Sequence, residues 1–388
     1  MTRRRVHAVG LVLLFAVGLW PASARLGARD VPQAPAAQAA LAPQRNDLPA
    51  RLSDKEFWRL VETFSEPNGY FQSDNLVSNE DTFQYVIPEL LKVVPPGGAY
   101  LGVGPDQNFT YLVALKPKIA FITDIRRGNL QEHLMYKALL ELSPDRAEFL
   151  SRLFSRKRPA GLTTASTAAE LFEAYLNVPM SSSLRDENLK AMLDLLARQH
   201  GGTLSDDDAA GLAYVYDSFV QAGPTISYAM NSFGRGGPMR YPSYQDLQMA
   251  NDGQGTARGY LANEANYTTL RTMEQDNRIV PIVGDFAGPR ALRTVGTYLA
   301  DHGATVSVFY TSNVEQYLFQ NNVWPAFARN VATLPLDDAS TFIRSCFTTC
   351  GMPNGSRAVS LLDSMSGLLR DFNEGRILNY WQVLQHSR

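Results

Sequence analysis

The chain has 388 residues, 45% of them hydrophobic and 19% charged, and a formal net charge of −2. That is a globular composition with room for one large domain or two ordinary ones. It excludes a bulk attraction to nucleic acid, and no run of Lys or Arg after the N-terminus suggests a local one.

The first segment reads as a targeting sequence. Arg3, Arg4 and Arg5 form a basic region, residues 9–20 a short apolar one, and Ala22-Ser23-Ala24 a small-x-small cleavage site. The apolar stretch is shorter than the roughly 20 residues of a membrane span. Residues 1–24 are therefore expected to be a cleaved export signal, giving a periplasmic or secreted protein with no stable membrane insertion. Thr2-Arg3-Arg4-Arg5 also resembles a weak twin-arginine signal, with an ordinary basic region as the competing reading. Residues 25–50, rich in Ala, Pro and Gln, read as a disordered linker. Folding is expected to begin near Leu52, with Ser53 capping a helix that carries Phe57, Leu60 and Val61.

An α/β pattern follows. Helical spacing predicts a helix over 79–94, closed by Pro95-Pro96-Gly97-Gly98. Strands are expected at 99–103 and 119–123, with a helix from about 106 between them and a strong one over 129–142. Residues 143–275 read as a helical insertion, with helices at 168–176, 184–198 and 205–220 and a glycine- and tyrosine-rich loop or lid over 221–260. The α/β pattern then resumes with strands at 279–283 and 305–310 and helices at 289–302 and from 314. A fifth strand is expected at 330–334 and a C-terminal helix at 359–372. The α/β domain thus comprises 51–142 and 276–388.

Four strand tips carry candidate ligand chemistry. The first is Leu101-Gly102-Val103-Gly104-Pro105-Asp106-Gln107-Asn108. Gly102 and Gly104 allow close backbone approach, and Asp106 or Asn108 offer polar contacts; a bare strand-to-helix turn is the alternative. The second is Asp124, an acceptor for ribose hydroxyls or else an ion-pair partner for Arg126 or Arg127. The third is Asp285 in Gly284-Asp285-Phe286, either a receptor for an adenine amino group or a helix N-terminal acid. The fourth is Tyr310-Thr311-Ser312-Asn313-Val314-Glu315, where Tyr310, Asn313 and Glu315 are candidates to orient or deprotonate a substrate and capping is the plain alternative.

Other chemistries find little footing. The sequence holds no G-x-S-x-G elbow, no H-E-x-x-H and no phosphate loop ending in Gly-Lys-Ser/Thr. His133 beside Glu132 reads as structural. Cys346 and Cys350, with no nearby His, do not make a zinc site, so no metal is assigned. A disulfide and two free thiols stay equally open for them.

This order of elements resembles class I S-adenosylmethionine-dependent methyltransferases over 100–142 and 279–319. The resemblance implies a Rossmann-like sheet. Gly102, Gly104, Asp106, Asn108, Asp124 and Asp285 would hold the cofactor, with Tyr310, Asn313 and Glu315 facing the methyl acceptor. Two departures stand out: Tyr100 replaces the acid before the turn, and Asp106 replaces its third glycine. The mature sequence also resembles an exported bacterial family without an established activity, through Gly102–Tyr111, Gly284–Pro289 and Phe309–Glu315. Two functions are carried forward: a methyltransferase-like protein with a small-molecule ligand, and a non-catalytic exported binding or scaffold protein on the same fold. Export weighs on the first, because the cofactor is made in the cytoplasm.

Overall fold

The computed structural model describes residues 47–201, 204–228, 241–347, 350 and 356–387. The expected export segment, residues 1–24, and nearly all of the expected linker lie outside these residues. After α1 (Asp54–Phe64), capped by Ser53 as expected, come α2 (Ile87–Val93), β1 (Ala99–Gly102), α3 (Gln107–Leu115) and β2 (Ile119–Asp124). Among the described residues seven α-helices separate β2 from the next strand: α4 (Arg127–Leu142), α5 (Arg146–Leu153), α6 (Ala168–Leu176), α7 (Ser182–His200), α8 (Asp206–Ala222), α9 (Tyr244–Met249) and α10 (Glu264–Gln275). Then follow β3 (Ile279–Val283), α11 (Ala291–Asp301), β4 (Val306–Ser312), α12 (Val314–Gln320), α13 (Trp324–Val331), β5 (Thr341–Cys346), β6 (Val359–Ser364), α14 (Met365–Asn373) and α15 (Tyr380–His386).

The strands form one six-stranded sheet in the order β3-β2-β1-β4-β5-β6. The first five are parallel, and β6 runs antiparallel to β5. The chain builds outward from β1 to β3 and then returns to the other side of β1 as β4. A crevice therefore opens between the carboxyl ends of β1 and β4, where ligands of open α/β sheets bind. β1, β2, β3 and β5 are buried along their whole length, as expected of strands covered on both faces. Helix α4 packs against β2 and β3 and also against α5, α7, α8 and α10, so it joins the sheet to the helical insertion. Among the described residues no helix is long and apolar enough to cross a membrane.

Three expected elements differ, each through a tertiary contact. The expected helix over 79–94 is helical only in α2; 81–86 are turns. There Asp81 accepts the backbone N–H of Arg357, and the Thr82 hydroxyl donates to the Ala358 carbonyl, so this stretch is tied to the entry of β6 instead of coiling. Residues 330–334 do not form the fifth strand; they end and follow α13, where Asn330 Nδ2 donates to the carbonyls of Phe286 and Gly288 at 2.8 Å each. The fifth strand is Thr341–Cys346. The C-terminal helix begins six residues late, because 359–364 pair with β5 and Ser364 then caps α14. Short apolar runs fit either period, and the open edge of β5 decides this one. The expected loop or lid over 221–260, of which 229–240 lie outside the described residues, contains α9, with Tyr244, Leu247 and Gln248 buried. Of the two states left open for Cys346 and Cys350, the structure has the disulfide, with Cα atoms 6.2 Å apart and Cys346 at the end of β5.

Candidate functional site

The turn after β1 is built by its own side chains. Gly104 has φ +76, the left-handed region that glycine enters without strain. Asn108 staples the turn: its Nδ2 donates to the carbonyls of Val103 (2.9 Å), Gly104 (3.3 Å) and Pro105 (2.7 Å), while its Oδ1 accepts from the Tyr100 hydroxyl at 2.8 Å. Gly102 is required by this staple, since a Cβ there would lie 2.0 Å from Asn108 Oδ1. Behind the turn, His133 Nε2 meets the Gly104 carbonyl at 2.9 Å. Burial pulls its pKa down to about 4, so the ring is neutral and donates.

Asp106 turns away from the crevice. It is fully buried against the helical insertion, where one carboxylate oxygen accepts from Gln248 Nε2 (2.7 Å) and the Tyr260 hydroxyl (2.9 Å). Desolvation pushes its pKa up to about 7. Glu132 on α4 is buried in the same region with no hydrogen-bond partner for either oxygen, and burial first, then the nearby Asp106, raises its pKa strongly.

A single pocket opens over the carboxyl ends of the strands. Its walls include Gly104 from the β1 turn, Asp124 and Arg126 after β2, Asp285 and Phe286 after β3, and Ser312 and Asn313 at the end of β4. The segment before α2 closes it with Tyr70, Phe71, Asn75 and Glu80. Phe71 meets Tyr317 edge to face at 5.3 Å, while Tyr70 is 85% exposed at the rim.

Asp124 both lines the pocket and holds Arg126. Arg126 Nε donates to Oδ1 at 2.9 Å and Nη2 to Oδ2 at 2.8 Å, and the Arg126 backbone N–H adds a third bond to Oδ1. Nη1 donates to the carbonyl of Asp74. The two readings of Asp124, pocket acid and ion-pair partner, are thus present together. Asp285 Oδ1 accepts the backbone N–H of Ala287, which fixes its side chain at the pocket wall.

The tip of β4 holds a buried node that the sequence did not suggest. The pairing of β4 with β5 shifts register between Tyr310 and Ser312, and Ser312 has φ 52, uncommon for a residue other than glycine. This turns its hydroxyl onto Glu80 Oε1. The Tyr310 hydroxyl donates to the same oxygen at 2.7 Å and accepts from Gln107 Nε2 at 2.7 Å. Glu80 is 1% exposed, and burial raises its pKa despite these bonds. The Ser345 hydroxyl adds a further hydrogen-bonding group beside Glu80, and Gln107 Oε1 has no hydrogen-bond partner among the described residues.

Of the residues nominated from sequence, the pocket wall brings together Gly104, Asp124, Asp285 and Asn313. Tyr310 stands one hydrogen bond behind it, through Glu80 and Gln107. Gly102, Asp106, Asn108 and Glu315 are not among the lining residues: the first and third shape the turn, and Asp106 faces the insertion. Glu315 is buried between Trp324 Nε1 (3.1 Å) and the Nε of Arg344, a fully buried guanidinium that also reaches Asp363 at 2.6 Å. Sequence reasoning missed Glu80, Gln107 and Arg126 as wall residues. Gln107 lies between the nominated Asp106 and Asn108, and Arg126, two residues after Asp124, was considered only as its ion-pair partner. Glu80 carries no local signal, since its partners are more than 200 residues away.

Among the described residues no group of three or more His, Cys, Asp or Glu is placed to hold a metal. A family model described as "Domain of unknown function (DUF7790)" matches residues 75–360, and the chain belongs to that family. No curated protein matches the chain.

Proposed function

We propose that the pocket binds S-adenosylmethionine and that the protein is methyltransferase-like, acting on an acceptor presented at the tip of β4. The observation that carries this reading is the convergence of Gly104, Asp124, Asp285 and Asn313, from four strand tips, on one crevice at the switch between β1 and β4.

The charge of the site favours a cationic ligand over a phosphorylated one. Arg126 is the sole basic residue among the described lining residues, and its donors are spent on Asp124 and on a backbone carbonyl. The acids Asp124, Asp285 and Glu80 surround the space. A pyrophosphate would meet carboxylates and no free cation there, whereas a sulfonium cofactor is attracted.

The cofactor would supply an electrophilic methyl group already activated by its sulfonium. The protein's part is binding and orientation. Asp124 keeps acceptor capacity on Oδ2 for ribose hydroxyls, because that oxygen takes only one bond from Arg126. Asp285 and Phe286 offer an acceptor and an apolar face to a base, and Asn313 offers both a donor and an acceptor to the incoming substrate. Glu315 does none of this, being committed to Arg344.

That commitment favours a second reading, a binding protein of this fold without turnover, since it removes one candidate general base from the β4 tip. Export, inferred from residues 1–24, agrees with the second reading equally well. Calorimetric titration of the purified chain with S-adenosylmethionine and S-adenosylhomocysteine tests both. Micromolar binding that weakens at least about tenfold in Asp124→Asn supports the cofactor assignment, the variant retaining the side-chain shape beside Arg126. No heat at millimolar ligand rules out the cofactor and leaves a receptor for another small molecule.

A further inference from the structure

We propose that the α12 side of the pocket is the acceptor subsite and takes an uncharged aromatic heterocycle, methylated on a pyridine-type ring nitrogen with no general base. The inference rests on the reading above for the methyl donor and names the substrate class that the same pocket would serve.

Three observations carry it. First, the pocket is divided in character. Val314, Tyr317, Leu318 and Asn321 follow one another at i, i+3, i+4 and i+7, so one face of α12 and its C-cap line the cavity. Val323 extends this face, and Phe71 meets Tyr317 edge to face at 5.3 Å from the segment before α2. No lining residue of α12 or of the two residues after its C-cap is charged; Glu80, Asp124, Arg126 and Asp285 come from other segments. A charged ring would have no counter-charge on this wall, and an uncharged one needs none.

Second, this wall is open to a ligand. Tyr70 is 85% exposed at the mouth, Val323 is exposed, and Phe71, Val314 and Tyr317 are half-buried. A planar ring laid there covers apolar surface and meets the aromatic rings in the offset or edge-to-face arrangements they favour.

Third, the candidate bases are out of reach. Glu315 is buried on Arg344 and Trp324. Glu80 is 1% exposed, and its carboxyl is enclosed by the hydroxyls of Tyr310, Ser312 and Ser345. The strand tips that carry Asp124 and Asp285 lie two and three strands from β4, about 10 and about 14 Å away at the usual strand spacing. What remains beside α12 is amides and hydroxyls, which are not bases. A phenol or alcohol must lose a proton as it is methylated and would call for one. A pyridine-type nitrogen does not. Its lone pair forms the N–CH3 bond as the C–S bond breaks, the electron pair of that bond passes to sulfur, and the positive charge moves from the sulfonium to the ring. No proton is transferred.

Calorimetry and mass spectrometry on the full chain test this, with quinoline and 4-phenylpyridine as heterocycles and 1-naphthol as a hydroxyl acceptor of similar size. Titration with and without S-adenosylhomocysteine reads binding, and incubation with S-adenosylmethionine reads methyl transfer. The variants are Tyr70→Ala, which removes an exposed ring and leaves the core intact, and Tyr317→Leu, which keeps an apolar side chain without the ring. The expected result is that at least one heterocycle binds, that both variants weaken it about three- to tenfold, and that S-adenosylhomocysteine affinity stays within about twofold. The bound heterocycle gains one methyl group, and 1-naphthol gains none. Binding of S-adenosylhomocysteine with neither heterocycle bound at millimolar concentration overturns the acceptor subsite and keeps the cofactor. Variant-sensitive binding of a heterocycle with no binding of S-adenosylhomocysteine upholds the aromatic subsite and overturns the cofactor reading, and methyl transfer with it. Heterocycle binding that neither variant weakens, methylation of 1-naphthol, or a heterocycle bound beside S-adenosylmethionine without product each overturns the proposal.

Discussion

Replacing Asp106 with Asn should make the protein less sensitive to alkaline pH. The carboxyl is fully buried, and burial pushes its pKa up to about 7 from an ordinary value near 4. The folded protein therefore keeps a proton there over a window in which the unfolded chain has released it. Stability is highest below the unfolded pKa, falls as pH rises through the window, and levels off above the folded value. From these two pKa values the Asp106 contribution drops by about 2–3 kcal/mol between pH 5 and pH 8. Asn cannot ionise, and its side-chain oxygen still accepts from Gln248 Nε2 and the Tyr260 hydroxyl. The assay is thermal unfolding of both proteins from pH 5 to pH 8. The Asn variant should lose less, with a relative gain of about 3–4 °C at pH 8 by the usual scaling for a chain of this size. Glu132 remains in both proteins, so its own slope cancels in the difference to first order; Glu132→Gln on each background measures their coupling. Parallel curves for wild type and variant would refute the argument, because they would mean that Asp106 reaches water in the folded state.

Two further substitutions separate architecture from ligand contact. Glu315→Ala leaves Arg344 buried with Asp363 as its remaining carboxylate and should cost about 3 kcal/mol, read as a lower denaturant midpoint, while ligand affinity of the folded variant stays within about twofold. An equally stable variant that loses ligand would show that Glu315 belongs to the pocket after all. Gly102→Ala drives a Cβ into Asn108 Oδ1 and should cost about 1–3 kcal/mol while also weakening ligand binding, since the turn that carries Gly104 must move. If Gly102→Ala binds and unfolds as the wild type does, Asn108 is not the staple described.

The strand tips were legible in the sequence because their signals are local. Buried parallel strands are short apolar runs, and each ends where Gly, Asp or Asn interrupts it, so β1 to β4 and the four tips could be read without the fold. Three helices of the insertion, α6, α7 and α8, were legible for the same reason: Ser205 caps α8 and Thr167 caps α6 through bonds that span three residues, whereas α9 lies in the stretch expected to be a loop. The edge of the sheet was not, because 359–364 become a strand only when β5 offers an unpaired edge. The division of labour among the polar residues was decided at longer range still. Asp106 follows β1 and Asp124 ends β2, yet one meets Gln248 and Tyr260 across the insertion while the other stays at the crevice with Arg126. Glu315 is taken by Arg344, and Glu80 is brought to Tyr310 from 230 residues away. Composition and spacing determined where chemistry is concentrated along the chain. Only the packing of distant segments determined which side chains are already spent on one another and which still face an open acceptor site.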